Sequence, residues 1–325
     1  MIFSKTPVRI TFFGGGSDYP SYFTKAQGKT LSLAINKYSY IAINRNLEIL
    51  NNKFILNYRQ IEKVQKISHI KHPSIKACLN YQNIKDPIQI NYFGDLPAKT
   101  GLGSSSSFTV GLLNCLKTLK KEKKSSFQIA KEAIYVEQKI IKEKVGCQDQ
   151  LTCGIGGLLH ITYVRNKDFR IKKKFLEKEK IKKLCSYLML FYTGIDRFSD
   201  IILKEQIKRT KQGFNSEIIK DMVDMVDPAV DYLIKENYYD FGIMLDKSWN
   251  LKKKLSNFIT SKKIDNYYTI GKKSGALGGK LLGAGGGGFL MFFVPHKSQK
   301  ILLKNLRNLR NIKFSPDFLG TRIIK

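Results

Sequence analysis

The residues of this chain best suited to chemistry lie in three glycine-rich bends and at two isolated carboxylates. One bend is Gly101-Leu102-Gly103 followed by Ser104-Ser105-Ser106-Ser107. Glycines let a backbone turn successive N–H groups toward one point, and serines add hydroxyls there. An apolar helical pattern begins at Phe108, which puts the bend at a helix start, where unpaired donors and a partial positive charge favour an anion such as phosphate. A glycine turn with a serine N-cap would account for the same residues taken alone. Two further bends weigh toward the phosphate cradle. Arg9-Ile10-Thr11-Phe12-Phe13 ends in Gly14-Gly15-Gly16-Ser17-Asp18, and Lys280-Leu281-Leu282 runs into Gly283-Ala284-Gly285-Gly286-Gly287-Gly288. An arginine inside an apolar strand seldom lacks a partner. Four consecutive glycines before a strand allow close approach to a ligand or to another segment, or form a hinge.

Glu137 falls on the helical stripe 130, 133, 134, 137, 140 and 141. A carboxylate on an apolar face needs a cation or metal partner, and magnesium is held by one or two carboxylates plus phosphate oxygens. A neighbouring lysine at the edge of the stripe is the simpler alternative. Asp149 follows in Gly146-Cys147-Gln148-Asp149-Gln150, which alone reads as an ordinary loop aspartate, though the loop could present it as a base while Glu137 serves a metal.

The elements that must position these groups alternate irregularly, which predicts an α+β fold. Strands are expected at Pro7–Phe13, at Thr30–Ile35 and Ser39–Asn44 joined by a turn at Asn36-Lys37, at Phe54–Tyr58 and at Ile88–Phe93. Helices are expected at Pro73–Tyr81, Ser104–Leu119 and Ser126–Lys144, followed by a loop over 145–157 and a strand at Leu158–Tyr163. The charged run Lys167–Lys183 is the natural boundary, giving domains at 1–180 and 181–325. The second would open with a strand at Tyr187–Tyr192, continue with helices to Lys263 and end with the strand Phe289–Val294.

With 325 residues and 42% hydrophobic content, the chain can bury two cores. No apolar run reaches the roughly 18–20 residues of a membrane span. The start lacks the pattern of a secretory signal. Five scattered cysteines argue for a reducing, cytoplasmic setting. The net charge of +31 comes mostly from dispersed lysine, with only ten arginines among 57 basic residues. A nucleic-acid binder concentrates arginine and aromatics on one surface, so a basic RNA-binding protein is the weaker reading. The positive field suits anionic small molecules.

Together and in this order, the three bends resemble those of the GHMP small-molecule kinases, over nearly the whole chain. Within that family, the triple glycine followed by Ser17-Asp18, the four-serine loop and the Lys280–Gly288 run are similar to the pattern of bacterial D-glycero-D-manno-heptose 7-phosphate kinases. The resemblance implies a two-domain fold, with an N-terminal ribosomal-protein-type βαβ domain for ATP and catalysis and a C-terminal ferredoxin-like domain. It implies ATP as co-substrate, Mg2+, and phosphorylation of the anomeric hydroxyl of a sugar phosphate, feeding nucleotide-activated heptose for surface polysaccharide. Another sugar, such as fucose or an unphosphorylated heptose, is the alternative acceptor. It further implies small-molecule partners only, with no nucleic acid and no membrane. By the same resemblance, Asp149 is the catalytic aspartate with Arg9 beside it. Gly101, Leu102, Gly103, Ser104, Ser105 and Ser106 hold the ATP phosphates, and Ser105 and Glu137 hold the metal. Gly15, Gly16, Ser17, Asp18, Gly285 and Gly286 shape the sugar site, and Arg197 grips a substrate phosphate. The chain departs from galactokinases at Gly15-Gly16, where those carry Glu-His, and at Lys99, where glycine is common in the family.

Overall fold

The computed structural model describes residues 1–45, 53–97, 100–165, 168–195 and 199–324. Its strands are β1 (Ile2–Phe13), β2 (Gly28–Arg45), β3 (Phe54–Asn57), β4 (Ile61–Val64), β5 (Ile88–Gly94), β6 (Leu158–Tyr163), β7 (Phe169–Lys172), β8 (Leu188–Tyr192), β9 (Gly278–Leu281), β10 (Phe289–Phe293), β11 (Arg310–Ile312) and β12 (Arg322–Ile324). One sheet runs β12-β1-β2-β5-β3-β4, with β6 attached to β2 and β7 to β6. Its pairs are antiparallel except β3 with β5.

The two strands expected around Asn36-Lys37 are one, and the expected turn is a bulge. The β1 partner shifts from Tyr38 to Ile35 between Pro7 and Val8. A bulge bends a strand without ending it. Here the bend lets the first half of β2 pair with β6 and the second half with β5.

The Ser104–Leu119 helix packs on this sheet through Val110, Leu112, Leu113, Cys115 and Leu116, all fully buried. The next helix starts at a capping box, in which Ser125 and Gln128 satisfy each other's backbone N–H groups. It is shorter than the expected Ser126–Lys144. The α-helix stops at Tyr135 and a π-turn covers Val136–Ile140. The wider turn rotates the stripe, so Glu137 stays inside while Ile140, expected on the buried face, is 40% exposed. The expected 145–157 loop contains a helix, Gln148–Ile155, so Asp149 stands in a helix's first turn.

The second sheet is β11-β8-β10-β9, antiparallel throughout. Numbered in chain order its strands run 4-1-3-2, the ferredoxin-like arrangement. The third glycine bend is the hairpin between β9 and β10. The expected division at residue 180 does not hold at the far end, because β12 returns to pair with β1 at the edge of the first sheet. One apolar cluster also spans both sheets, with Val8, Ile10 and Phe12 packed with Leu190, Phe241 and Phe293. Among the described residues no helix is long and apolar enough to cross a membrane.

Candidate active site

Arg9 is the centre of the site. It lies within β1, and its backbone N–H reaches the Leu102 carbonyl at 2.9 Å. Its guanidinium grips Asp149 with two bonds, Nε to Oδ1 and Nη2 to Oδ2, each 2.8 Å, while Nη1 donates to the Gly101 carbonyl at 2.5 Å. This planar fork needs an arginine. Burial alone would lower the Arg9 pKa, but the Asp149 carboxylate outweighs it and the net shift is upward. Asp149 keeps 26% of its side chain exposed, so one face of the pair is open.

The Gly101–Gly103 bend closes over this pair. Gly101 and Gly103 have φ of +91° and +76°, a conformation that disfavours any side chain. A Cβ on Gly103 would also stand 3.2 Å from Asp149 Oδ2 and 3.3 Å from Arg9 Cγ. Gly103 itself is the N-cap, with no side-chain cap, so the expected serine cap is replaced by open backbone N–H groups. The four serines divide by helix phase. Ser107 donates to the Thr6 carbonyl at 3.0 Å and Ser106 to Glu137 Oε2 at 2.9 Å, whereas Ser105 is exposed and Ser104 half-buried. The hydroxyl beside Glu137 is therefore that of Ser106, where Ser105 was expected. Leu102 is fully buried in the apolar core, so its side chain faces away from any phosphate.

Glu137 is 1% exposed. Its Oε2 accepts from Ser106 and, at 2.5 Å, from Gln150 Nε2. Its Oε1 has no hydrogen-bond partner; the nearby Thr109 hydroxyl donates to the Ser105 carbonyl at 3.2 Å. Burial, with the field of Glu143 adding to it, pushes the Glu137 carboxyl up to about 7, against the nearby Thr109 hydroxyl and the Gln150 and Ser106 hydrogen bonds. No described lysine or arginine forms an ion pair with it, which removes the edge-lysine alternative. A buried carboxylate with one oxygen unsatisfied fits a divalent cation whose remaining ligands come from phosphate. Among the described residues no group of three or more His, Cys, Asp or Glu side chains is placed to hold a metal ion.

Asp18 closes the other side. It accepts from the backbone N–H of Gly16 at 3.2 Å and of Gln148 at 3.3 Å, and its own carbonyl accepts from Cys147 N–H at 3.1 Å. Gly146 lies so close that a Cβ there would strike the Asp18 carboxylate. Burial first, then the Asp149 charge, raises the Asp18 pKa to about 6, against these N–H donors. Ser17, expected at the sugar, is fully buried. Its hydroxyl, with one proton shared between the Gly14 and Lys29 carbonyls, also accepts from Lys29 N–H, so it holds the turn.

The third bend meets the second directly. A Cβ on Gly288 would strike the Thr100 carbonyl, and Thr193 donates from both N–H and hydroxyl to the Gly288 carbonyl, at 2.9 and 2.8 Å. Gly285 and Gly286 rest on Ile259, whose carbonyl accepts from Gly286 N–H at 2.9 Å. Gly16 lies 4.0 Å, as judged from its missing Cβ, from Leu255 on the same loop. The structure thus brings Arg9, Asp18, Gly101, Gly103, Ser106, Glu137 and Asp149 into one region, with Gly285 and Gly286 at its edge. Arg197 and Lys99 lie outside the described residues.

Two groups escape sequence reasoning. Gln150, fully buried, holds Glu137 from the helix that also carries Asp149. Lys280, 2% exposed, donates from Nζ to the Phe12 carbonyl at 2.7 Å, and burial plus the Arg9 charge lowers its pKa to about 7. The signal for Lys280, a lone cation between Gly279 and Leu281 in β9, was weaker than the one that marked Arg9.

Comparison with known proteins gives the family. Residues 68–157 match the family description "GHMP kinases N terminal domain" and residues 229–310 match "GHMP kinases C terminal". The chain is 30% identical over 316 residues to a mevalonate kinase of Methanocaldococcus jannaschii, covering 93% of this chain and 95% of that one. It is 26% identical over 318 residues to a D-glycero-alpha-D-manno-heptose 7-phosphate kinase of Campylobacter jejuni, covering 94% and 92%. The crystal structure of a D-glycero-D-manno-heptose 1-phosphate kinase from Bacteroides thetaiotaomicron superposes over 100% of this chain and 99% of that one, with a TM-score of 0.82 at 21% identity, a likeness of fold.

Proposed function

The chain belongs to the GHMP kinases, and from that premise we propose that it transfers the γ-phosphate of ATP to the anomeric hydroxyl of D-glycero-D-manno-heptose 7-phosphate. The observation that carries the catalytic part is the two-bond Arg9–Asp149 pair lying directly beneath the Gly101–Gly103 bend. The acceptor rests on the likeness to the Campylobacter relative; the bare Gly15-Gly16 of the first bend speaks only against galactose.

The open N–H groups at the start of the Ser104–Leu119 helix hold the ATP phosphates, helped by the Ser104 and Ser105 hydroxyls. Asp18 holds sugar hydroxyls and so sets the acceptor beside Asp149. Asp149 accepts the proton of the attacking hydroxyl as its oxygen bonds to the γ-phosphorus and the bond to the β-phosphate oxygen breaks, leaving ADP. Arg9 fixes the carboxylate orientation and keeps positive charge next to the transferring group. Glu137, with Ser106 alongside, would hold a magnesium ion, which when bound neutralises phosphate charge. Gly285 and Gly286 close the edge of the site. Catalysis is then mainly positioning and charge neutralisation.

The 30% likeness to a mevalonate kinase favours mevalonate as a second acceptor class. A coupled ADP-release assay over heptose 7-phosphate, unphosphorylated heptose, fucose and mevalonate separates the readings. The proposal expects kcat/KM for heptose 7-phosphate to exceed the others by at least about tenfold, the low end of what a single pocket contact discriminates. Equal or greater efficiency on any other acceptor overturns the assignment.

A further inference from the structure

A cation taken out of water costs stability unless a carboxylate offsets it. Lys280 is 2% exposed, and its Nζ donates to the Phe12 carbonyl at 2.7 Å. Among the described residues no carboxylate forms an ion pair with it, and the charge that bears on it, that of Arg9, has the same sign. A methionine would fill nearly the same space without that cost. Stability of the fold alone therefore gives no reason for a lysine at this position.

The place of the bond supplies a different reason. Across β1 and β2, Thr11 faces Ser32 and Phe13 faces Leu31, which leaves Phe12 as the extra residue of a second bulge. A bulge re-aims the chain that follows it. Here that chain is the first bend, Gly14 to Asp18, whose Asp18 is seated on Gln148 at the start of the helix carrying Asp149. Lys280 itself lies in β9, three residues ahead of the third bend at Gly283. Lys252, on the helix Tyr238–Lys253, holds that end of the third bend by donating to the Leu281 and Gly283 carbonyls at 2.7 and 2.6 Å. The Lys280 ammonium thus ties the exit of β1 to the second sheet. The Gly101–Gly103 bend is held separately, by Arg9 N–H on Leu102 and Arg9 Nη1 on Gly101, upstream of the bulge.

We infer that Lys280 is a positioning residue, which acts through the Phe12 carbonyl to set the first bend, and with it Asp18, against Asp149. This rests on the proposed kinase reading of the same site. It separates the two bends by what holds them: Arg9 fixes the phosphate side and Lys280 the acceptor side.

The test compares Lys280→Met, which loses the donor, with Lys280→Arg, which keeps donor and charge. Both are assayed at pH 7 by coupled ADP release and by thermal melting. Lys280→Met is expected to melt no lower than native yet to lose about 10–100-fold in kcat/KM for the acceptor, the scale of a misplacement of about 1 Å. Its KM for ATP should stay native, and Lys280→Arg should keep most of the native efficiency. A bond that serves only the fold predicts the reverse, a lower melting temperature with native kinetics in the folded protein. The inference is overturned if folded Lys280→Met keeps its acceptor kcat/KM, if it melts lower or fails to fold, or if its KM for ATP rises as far as that for the acceptor. It is also overturned if Lys280→Arg is as impaired as Lys280→Met. If the native enzyme is idle on heptose 7-phosphate and works on mevalonate or fucose, the acceptor proposed above fails. The variants are then compared on the acceptor that is turned over, so the two failures remain separate.

Discussion

Two buried charged groups stand within a few residues of the same helix start, and the fold treats them oppositely. Arg9 and Asp149 satisfy each other with two 2.8 Å bonds, and the guanidinium's third group finds the Gly101 carbonyl. Glu137 receives only neutral donors on one oxygen and nothing on the other. The first group is complete without a ligand. The second carries a charge that the protein does not neutralise, and a carboxyl pushed up to about 7 is the physical sign of that debt to solvation. Pre-organisation belongs to the pair, and ligand dependence to the single carboxylate.

Removing the base from the pair should have the largest effect. Asp149→Asn keeps the shape and one acceptor for Arg9 but loses the proton acceptor, and kcat should fall by about 10²–10⁴-fold. A coupled assay on protein with native circular dichroism checks it, and a folded variant with native kcat would separate the pair from catalysis. Asp18 comes next. Its carboxyl, raised to about 6, should be charged above that pH and neutral below. If the charged form holds the sugar, the acceptor KM should rise as pH falls through 6, and Asp18→Asn should flatten that profile while raising KM throughout.

Glu137 should act on stability as well as on metal dependence. Its folded pKa is raised from 4.5 to about 7, so between those values the native state binds more protons than the unfolded one. Stability contributed by this group is therefore full below pH 4.5 and is lost as pH rises toward 7. Without metal, Glu137→Gln should melt higher than native at pH 8 and the same at pH 4.5, and should need more magnesium for turnover. A parallel melting curve at both pH values would remove the unsatisfied-charge account. Lys280 gives the opposite signal in stability. Its folded pKa is lowered from 10.5 to about 7, so stability from this group is lost as pH falls from 10.5 toward 7. Lys280→Met should remove that slope, as read from melting temperatures across pH 7–10; an unchanged slope would show that the lysine is solvated.

What was legible in the sequence follows the same division. Arg9 announced itself as a cation in an apolar strand, marked by residue type against its surroundings, whereas Asp149, between Gln148 and Gln150, read alone as a loop aspartate and took its role from the family resemblance. The helix around Asp149 was not legible: Gln148–Ile155 is short, begins with polar residues and shows no clean stripe. The π-turn at Val136–Ile140 was invisible to a 3.6-residue period, which is why Ile140 was expected inside and lies outside. Which of four identical serines meets Glu137 depends on the helix phase set by the Gly103 N-cap, and identical residues cannot report their own phase. The bulge in β2 hid behind Asn36-Lys37, a polar pair that mimics a turn. The return of β12 to β1 is a pairing between chain ends, beyond any local pattern.

The central claim is that one triphosphate is held between the Gly103 helix start, Glu137 and the Arg9–Asp149 pair. A crystal structure with a non-hydrolysable ATP analogue and magnesium tests it most directly. The account predicts the β- and γ-phosphates on the N–H groups of Ser104 to Ser106, an ion on Glu137, and the γ-phosphorus facing Asp149. A nucleotide bound clear of this helix start, or Glu137 turned from the ion with its second oxygen still bare, would contradict it.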